Sequence, residues 1–126
     1  MLHHVSIGVS DLARSAAFYD AVLGALSYGR FMEKPGTTSW RPADGGTAFW
    51  INQRDGLSVS PDNGTHIAFL AASNERVDAF YAAAIDAGAR DDGAPGFRPE
   101  YRDTYYGAFV LDPDGHKIEA VHMPAA

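Results

Sequence analysis

Three side chains in this sequence have the types and the placement to hold a metal ion: His4, His66 and Glu119. Two imidazoles and a carboxylate form a facial set for a divalent first-row metal (Zn, Ni, Mn or Fe), with positions left open for a substrate. The two histidines open similar segments. Shifting the chain on itself by 62 residues lays His66-Ile67 on His4-Val5 and Phe80-Tyr81 on Phe18-Tyr19. The same shift lays Arg76 on Arg14, Ala79 on Ala17 and Ile85 on Leu23. That shift is close to half of the 126 residues, so the chain reads as one domain, 1–126, built from a duplicated module with halves near 1–60 and 61–126. Glu119 lies four residues beyond Gly115; the residue four beyond Gly46 in the first half is Trp50. An indole N–H only donates, so Trp50 offers no metal donor and is either a cavity wall or a core aromatic.

The elements that must position these side chains follow from periodicity. Val5, Ile7 and Val9 alternate with His4, Ser6 and Gly8; Ile67, Phe69 and Ala71 alternate with His66, Ala68 and Leu70. Period-2 alternation predicts a strand with two unlike faces, the aliphatic face against a helix and the histidine face away from it. A helix is predicted after each strand: Leu12–Leu23, capped by Asp11 or Ser10 and ended by Gly24, and Asn74–Ala87, capped by Ser73 and ended by Gly88. Strands are predicted near Ser27–Glu33, Ser39–Arg41 and Thr47–Gln53, then at Tyr106–Leu111 and Lys117–His122, the last two joined by an Asp112-Pro113-Asp114-Gly115 turn. Segment 90–104, with Gly93, Pro95, Gly96 and Pro99, reads as a polar loop beside a binding site. The fold class is therefore α+β: two paired βαβββ modules forming a cupped mixed sheet. Glu119 sits between Ile118 and Ala120, so it shares the non-helix face with the histidines and should point into a wet cup. The three side chains converge if the modules pair their sheets, within one chain or between two.

Around that cup the sequence offers Ser6, Trp50, Arg98, Tyr101, Arg102 and Tyr106 as substrate-binding residues. Arginines can hold a carboxylate or phosphate bidentately. Glu119 and Tyr105 are the catalytic candidates, a tyrosine hydroxyl being able to act as an acid or to orient an oxyanion. His3 falls on the opposite face from His4, and His116, on the turn, is expected to be exposed.

Composition excludes other classes. Ten Lys+Arg against 16 Asp+Glu give a net charge of −6, which argues against nucleic acid and anionic membrane surfaces as partners. With no cysteine there is no disulfide, Cys-based zinc site or Cys nucleophile. No stretch approaches the ~20 apolar residues of a membrane span, and Met1–His4 lacks a basic leader. A cytoplasmic protein acting on a small molecule, in a homodimer, is the expectation.

The quoted residues resemble the vicinal oxygen chelate superfamily, which groups glyoxalase I, extradiol dioxygenases, fosfomycin-resistance transferases and bleomycin-resistance proteins. The stretches that carry the resemblance are His3 to Leu12, Ser15 with Phe18-Tyr19, Leu23-Gly24, Thr65 to Phe69, and Phe109 to Glu119. It implies the glyoxalase/bleomycin resistance/dihydroxybiphenyl dioxygenase fold and a divalent metal on His4, His66 and Glu119. It also implies lyase or isomerase, transferase or dioxygenase chemistry on an oxygen-chelating substrate. Glyoxalase I has a Glu where this chain has Trp50, and an Arg near Ile7-Gly8-Val9 where this chain has none, so glutathione-dependent activity is not expected. The alternative is a non-catalytic drug or metabolite binder of the bleomycin-resistance type.

Overall fold

Alternating small and β-branched residues make His4–Val9 a strand (β1), and Asp11, whose carboxylate accepts from the backbone N–H of Arg14, starts helix α1 over Leu12–Ala25. Strands β2 (Tyr28–Lys34), β3 (Thr37–Pro42) and β4 (Ala48–Gln53) complete the first module. The second repeats it: β5 (His66–Leu70), α2 (Asn74–Asp86) capped by Ser73, β6 (Arg90–Phe97), β7 (Tyr106–Leu111) and β8 (Lys117–His122). The computed structural model describes residues 1–124; the last two residues of the predicted second module lie outside them.

Each module forms a four-stranded mixed sheet, in the orders β1-β4-β3-β2 and β5-β8-β7-β6. The first and last strands of a module run parallel, His4 opposite Ala48 and His66 opposite Lys117, and the other pairs are antiparallel. The predicted α+β class and the paired βαβββ modules are both present.

One face of each sheet packs on helices. Val9, Trp40 and Ile51 pack with Tyr19 and Val22 of α1, and Val110, Ile118 and Ala120 pack with Val77 and Phe80 of α2, all buried in one continuous core. Burying an aliphatic or aromatic side chain of this size contributes about 1.5–3 kcal/mol. Polar bonds also lock the modules together. The Tyr19 hydroxyl donates to Asp112 Oδ2 at 2.7 Å, and the Ser10 N–H donates to Asp114 Oδ2 at 3.0 Å. His116 is not the exposed turn residue expected. It is half-buried, with Nε2 2.7 Å from the Gly8 carbonyl oxygen, because the 112–116 turn folds back onto the end of β1.

Two local expectations need correction. Gly24 does not end α1; the helix continues to Ala25, and Ser27 takes the left-handed turn at φ +68°. Leu26 is buried just past the helix end, and that burial outweighs the propensity of Gly24 to stop the helix. Segment 90–104 is not wholly a loop, since its first eight residues form β6. Gly93, Pro95 and Gly96 hide the strand pattern, and they are tolerated because β6 is an edge strand whose register shifts on either side of Gly93.

Candidate metal and substrate site

In the second module the sheet face turned away from α2 carries the chemistry. Glu119 pairs with Ala68 on one side and Phe109 on the other. Its Oε1 lies 3.1 Å from His66 Nε2, and its Oε2 accepts a hydrogen bond from the Tyr105 hydroxyl. Gly107 leaves the room this requires: a Cβ there would stand 3.0 Å from Glu119 Oε2 and 3.2 Å from the Tyr105 ring. The wet setting expected for Glu119 is corrected, since the residue is 1% exposed, roofed by its two partners. Burial first, then the Glu119 hydrogen bond and charge, push the Tyr105 hydroxyl above its ordinary value, so it keeps its proton at neutral pH. The Phe109 ring lies 5.9 Å from His66, with the Arg98 guanidinium and the Lys117 ammonium at 5.7 and 5.0 Å.

In the first module the corresponding face holds His4, Ser6 and Trp50. Trp50 pairs with Ser6 and is half-buried on the side away from α1, which makes it a wall rather than a core aromatic. Asn52 Nδ2 donates to Ser6 Oγ at 2.5 Å, and Phe31 meets the Trp50 ring edge-on at 6.2 Å. His4 is exposed and its Nδ1 lies 2.8 Å from that of His3, the residue assigned to the opposite face.

The structure therefore brings together two of the three proposed ligands. Among the described residues no three His, Asp or Glu side chains gather closely enough to hold a metal ion, and His4 stands apart from His66 and Glu119. A half-open apolar cavity of about 590 Å³ lies between sheet 1 and β5, with Val5, Phe49, Ile67 and Phe69 on its walls and Arg41 and His66 also lining it.

The remaining candidates divide. Tyr101 meets Tyr105 edge-to-face at 5.0 Å, and Arg98 lies across β6, donating to the Ala94 carbonyl at 2.7 Å. Arg102 is exposed on the turn after β6. Tyr106 turns the other way, its hydroxyl donating to Asp78 of α2 at 2.6 Å, so its side chain is not gathered with Glu119. Sequence reasoning missed Phe31, Arg41, Asn52 and Gly107. The alternation of β3 places Arg41 on the Ser39 face, but only strand pairing tells which face that is.

Residues 1–120 match the sequence profile of the Glyoxalase/Bleomycin resistance protein/Dioxygenase superfamily. No protein of curated function matches the sequence. The fold is similar to the crystal structure of a glyoxalase/bleomycin resistance protein from Albidiferax ferrireducens T118, with a TM-score of 0.86 and 38% identity over 97% of this chain and 98% of that one. A glyoxalase/dioxygenase from Nostoc punctiforme superposes with a TM-score of 0.75 at 21% identity, over 99% and 92% of the two chains. A glyoxalase/bleomycin resistance protein/dioxygenase family enzyme from Burkholderia phytofirmans PsJN does so at 0.73 and 20%, over 97% and 98%. At these last two identities the likeness concerns the fold.

Proposed function

The chain belongs to the glyoxalase/bleomycin resistance protein/dioxygenase superfamily, and from that premise we propose that it is a divalent-metal-dependent enzyme acting on a small substrate through two neighbouring oxygens. One observation carries the reading. Glu119 is a buried carboxylate whose side-chain neighbours are an imidazole and a hydroxyl, with no Lys or Arg paired to it among the described residues. A buried charge is costly unless a cation or hydrogen bonds compensate it, and an imidazole beside a carboxylate is a donor set suited to a metal. The third donor, His4, faces out of a separate sheet, so the complete set takes His66 and Glu119 from one protomer and His4 from its partner in a homodimer.

Bound there, a divalent ion would supply Lewis-acid polarisation of the substrate oxygens. The chain's own residues do the rest. Glu119 provides the anionic ligand. Tyr105, protonated at neutral pH, offers a hydrogen bond or a proton to an oxyanion next to Glu119. Trp50 presents a flat wall, Ser6 a hydroxyl, and Arg98 with Tyr101 closes the rim. Trp50 in place of a fourth acidic ligand, and the lack of an Arg within the Ile7-Gly8-Val9 stretch, set the chain apart from glutathione-dependent lyases.

The shared site has a direct test. His4→Ala and His66→Ala each remove a ligand from every site of a homodimer. Mixing the two variants through reversible unfolding regenerates one intact site per heterodimer, roughly a quarter of all sites at random pairing. Recovery of that fraction of Mn²⁺ binding is expected; no recovery overturns the shared site. The non-catalytic binder is the second reading, favoured by the apolar cavity. Protein purified without a tag that holds less than about 0.1 equivalent of metal and takes up none on titration would decide for it.

A further inference from the structure

We infer that Asn63 is a site of spontaneous covalent modification, in which the Gly64 amide nitrogen displaces the Asn63 side-chain nitrogen as ammonia and water opens the ring that forms. The chemistry needs no metal or cofactor. The chain has three asparagines, and only Asn63 is followed by glycine. Asn52 is bonded to Thr37 and Ser6 within the sheet, and Asn74 is the first residue of α2, where the next amide is fixed in a helical turn. Asn63, Gly64 and Thr65 are all exposed, in the linker between β4 and β5.

The local geometry favours the attack. Gly64 takes φ +86°, and nothing stands within 4 Å of where its Cβ would lie, so no side chain shields its nitrogen and the backbone has room to turn. Among the described residues neither the Gly64 N–H nor Asn63 Nδ2 makes a hydrogen bond, so nucleophile and leaving group are both free. The Asn63 carbonyl is engaged instead: its Oδ1 accepts from the Thr65 N–H at 2.7 Å. A donor in that place draws charge from Cγ and stabilises the oxyanion that forms when the nitrogen adds. The Gly64 N–Cγ bond forms, the Cγ–Nδ2 bond breaks, and the Gly64 proton leaves with the ammonia. Water then cleaves the succinimide at either of its ring C–N bonds. One cut gives aspartate; the other gives isoaspartate, whose main chain runs through Cβ and Cγ. No electrons are exchanged, and water is the only co-reactant.

Either product changes its surroundings. Asn63 lines a cavity of about 190 Å³ between the modules, together with Ser60, His66, His116 and Lys117. The neutral amide on that wall becomes a carboxylate, and isoaspartate also lengthens the main chain three residues ahead of His66. The charge and the length of the linker therefore change with the age of the chain.

The experiment holds the purified full chain at neutral pH and physiological temperature for several weeks and follows the tryptic peptide Asp55–Arg76, which carries both Asn63 and Asn74. Mass spectrometry should show NH exchanged for O at Asn63, severalfold faster than at Asn74, and protein isoaspartyl methyltransferase should label the same position. The mass change separates this reaction from isomerisation at an Asp-Gly step such as Asp55-Gly56, which leaves the mass unaltered. Gly64→Ala should slow the reaction severalfold, and Asn63→Gln should abolish it at this position. A parallel incubation in urea is the reference. Reaction in the unfolded chain but not in the folded one overturns the inference, as does an Asn63 left intact in both, or loss at Asn74 as fast as at Asn63.

Discussion

Trp50 occupies in the first module the position that Glu119 occupies in the second. Trp50 pairs with Ser6 and Glu119 with Ala68, and the 62-residue shift that relates His4 to His66 also relates Ser6 to Ala68. The duplicated scaffold thus presents an indole on one wall and a carboxylate on the other. A site assembled from both walls is chemically lopsided, with an anion on one side and a flat apolar surface opposite.

The two tryptophans should report separately. Trp40 is 1% exposed, whereas Trp50 is half-buried on the open face. Trp50→Phe should remove most of the acrylamide-quenchable emission and leave the Trp40 signal. Quenching unchanged by the substitution would show that Trp50 is not on an open wall.

Glu119→Gln keeps an acceptor for Tyr105 and removes the charge. The metal-free fold should stay within about 1 kcal/mol of wild type. Metal at a hundredfold excess over its Kd should stabilise wild type by about 2.7 kcal/mol, and the variant should lose most of that. Melting curves with and without Mn²⁺ check both statements, and equal metal-dependent shifts in the two proteins would remove Glu119 from the site.

Two glycines should behave oppositely when replaced by alanine. Gly24 lies in α1 with nothing within 4 Å of where a Cβ would stand, so Gly24→Ala should stabilise by about 0.5–1 kcal/mol. A Cβ on Gly107 meets Glu119 and Tyr105, so Gly107→Ala should cost about 1–3 kcal/mol and weaken metal binding. Urea denaturation and Mn²⁺ titration of both variants test the contrast.

The Tyr19–Asp112 bond joins the modules, and its contribution should depend on pH. Burial raises the Asp112 carboxyl above its ordinary 3.8, partly offset by the Tyr19 hydrogen bond and then by His116. The folded chain therefore holds that proton to higher pH than the unfolded chain does. Its contribution favours folding below 3.8 and is lost as pH rises through the raised value. Tyr19→Phe removes a bond that favours the ionised form. It should cost about 1.5–3 kcal/mol at neutral pH and less in acid, where Asp112 is protonated. A cost independent of pH would show that the bond does not control Asp112.

The sequence by itself determined the repeat, the strand faces and the Ser73 cap, and narrowed the cap of α1 to Asp11 or Ser10, because these rest on short-range periodicity and on side chains bonding to their own backbone. His4, Ser6, His66 and Glu119 could be placed on the non-helix face for that reason. It could not place β6, whose glycines and proline are permitted only by its position at a sheet edge, nor see that α1 runs past Gly24 to bury Leu26. Two matters were left to the tertiary structure: Glu119 is buried under Tyr105 and His66, and Tyr106 faces α2. Each depends on which strand lies beside which, in what register, and that is fixed by packing between residues far apart in the chain. The separation of His4 from His66 and Glu119 has the same origin. A repeat gives two equivalent half-sites, but only the packing of helix on helix decides which way their open faces turn.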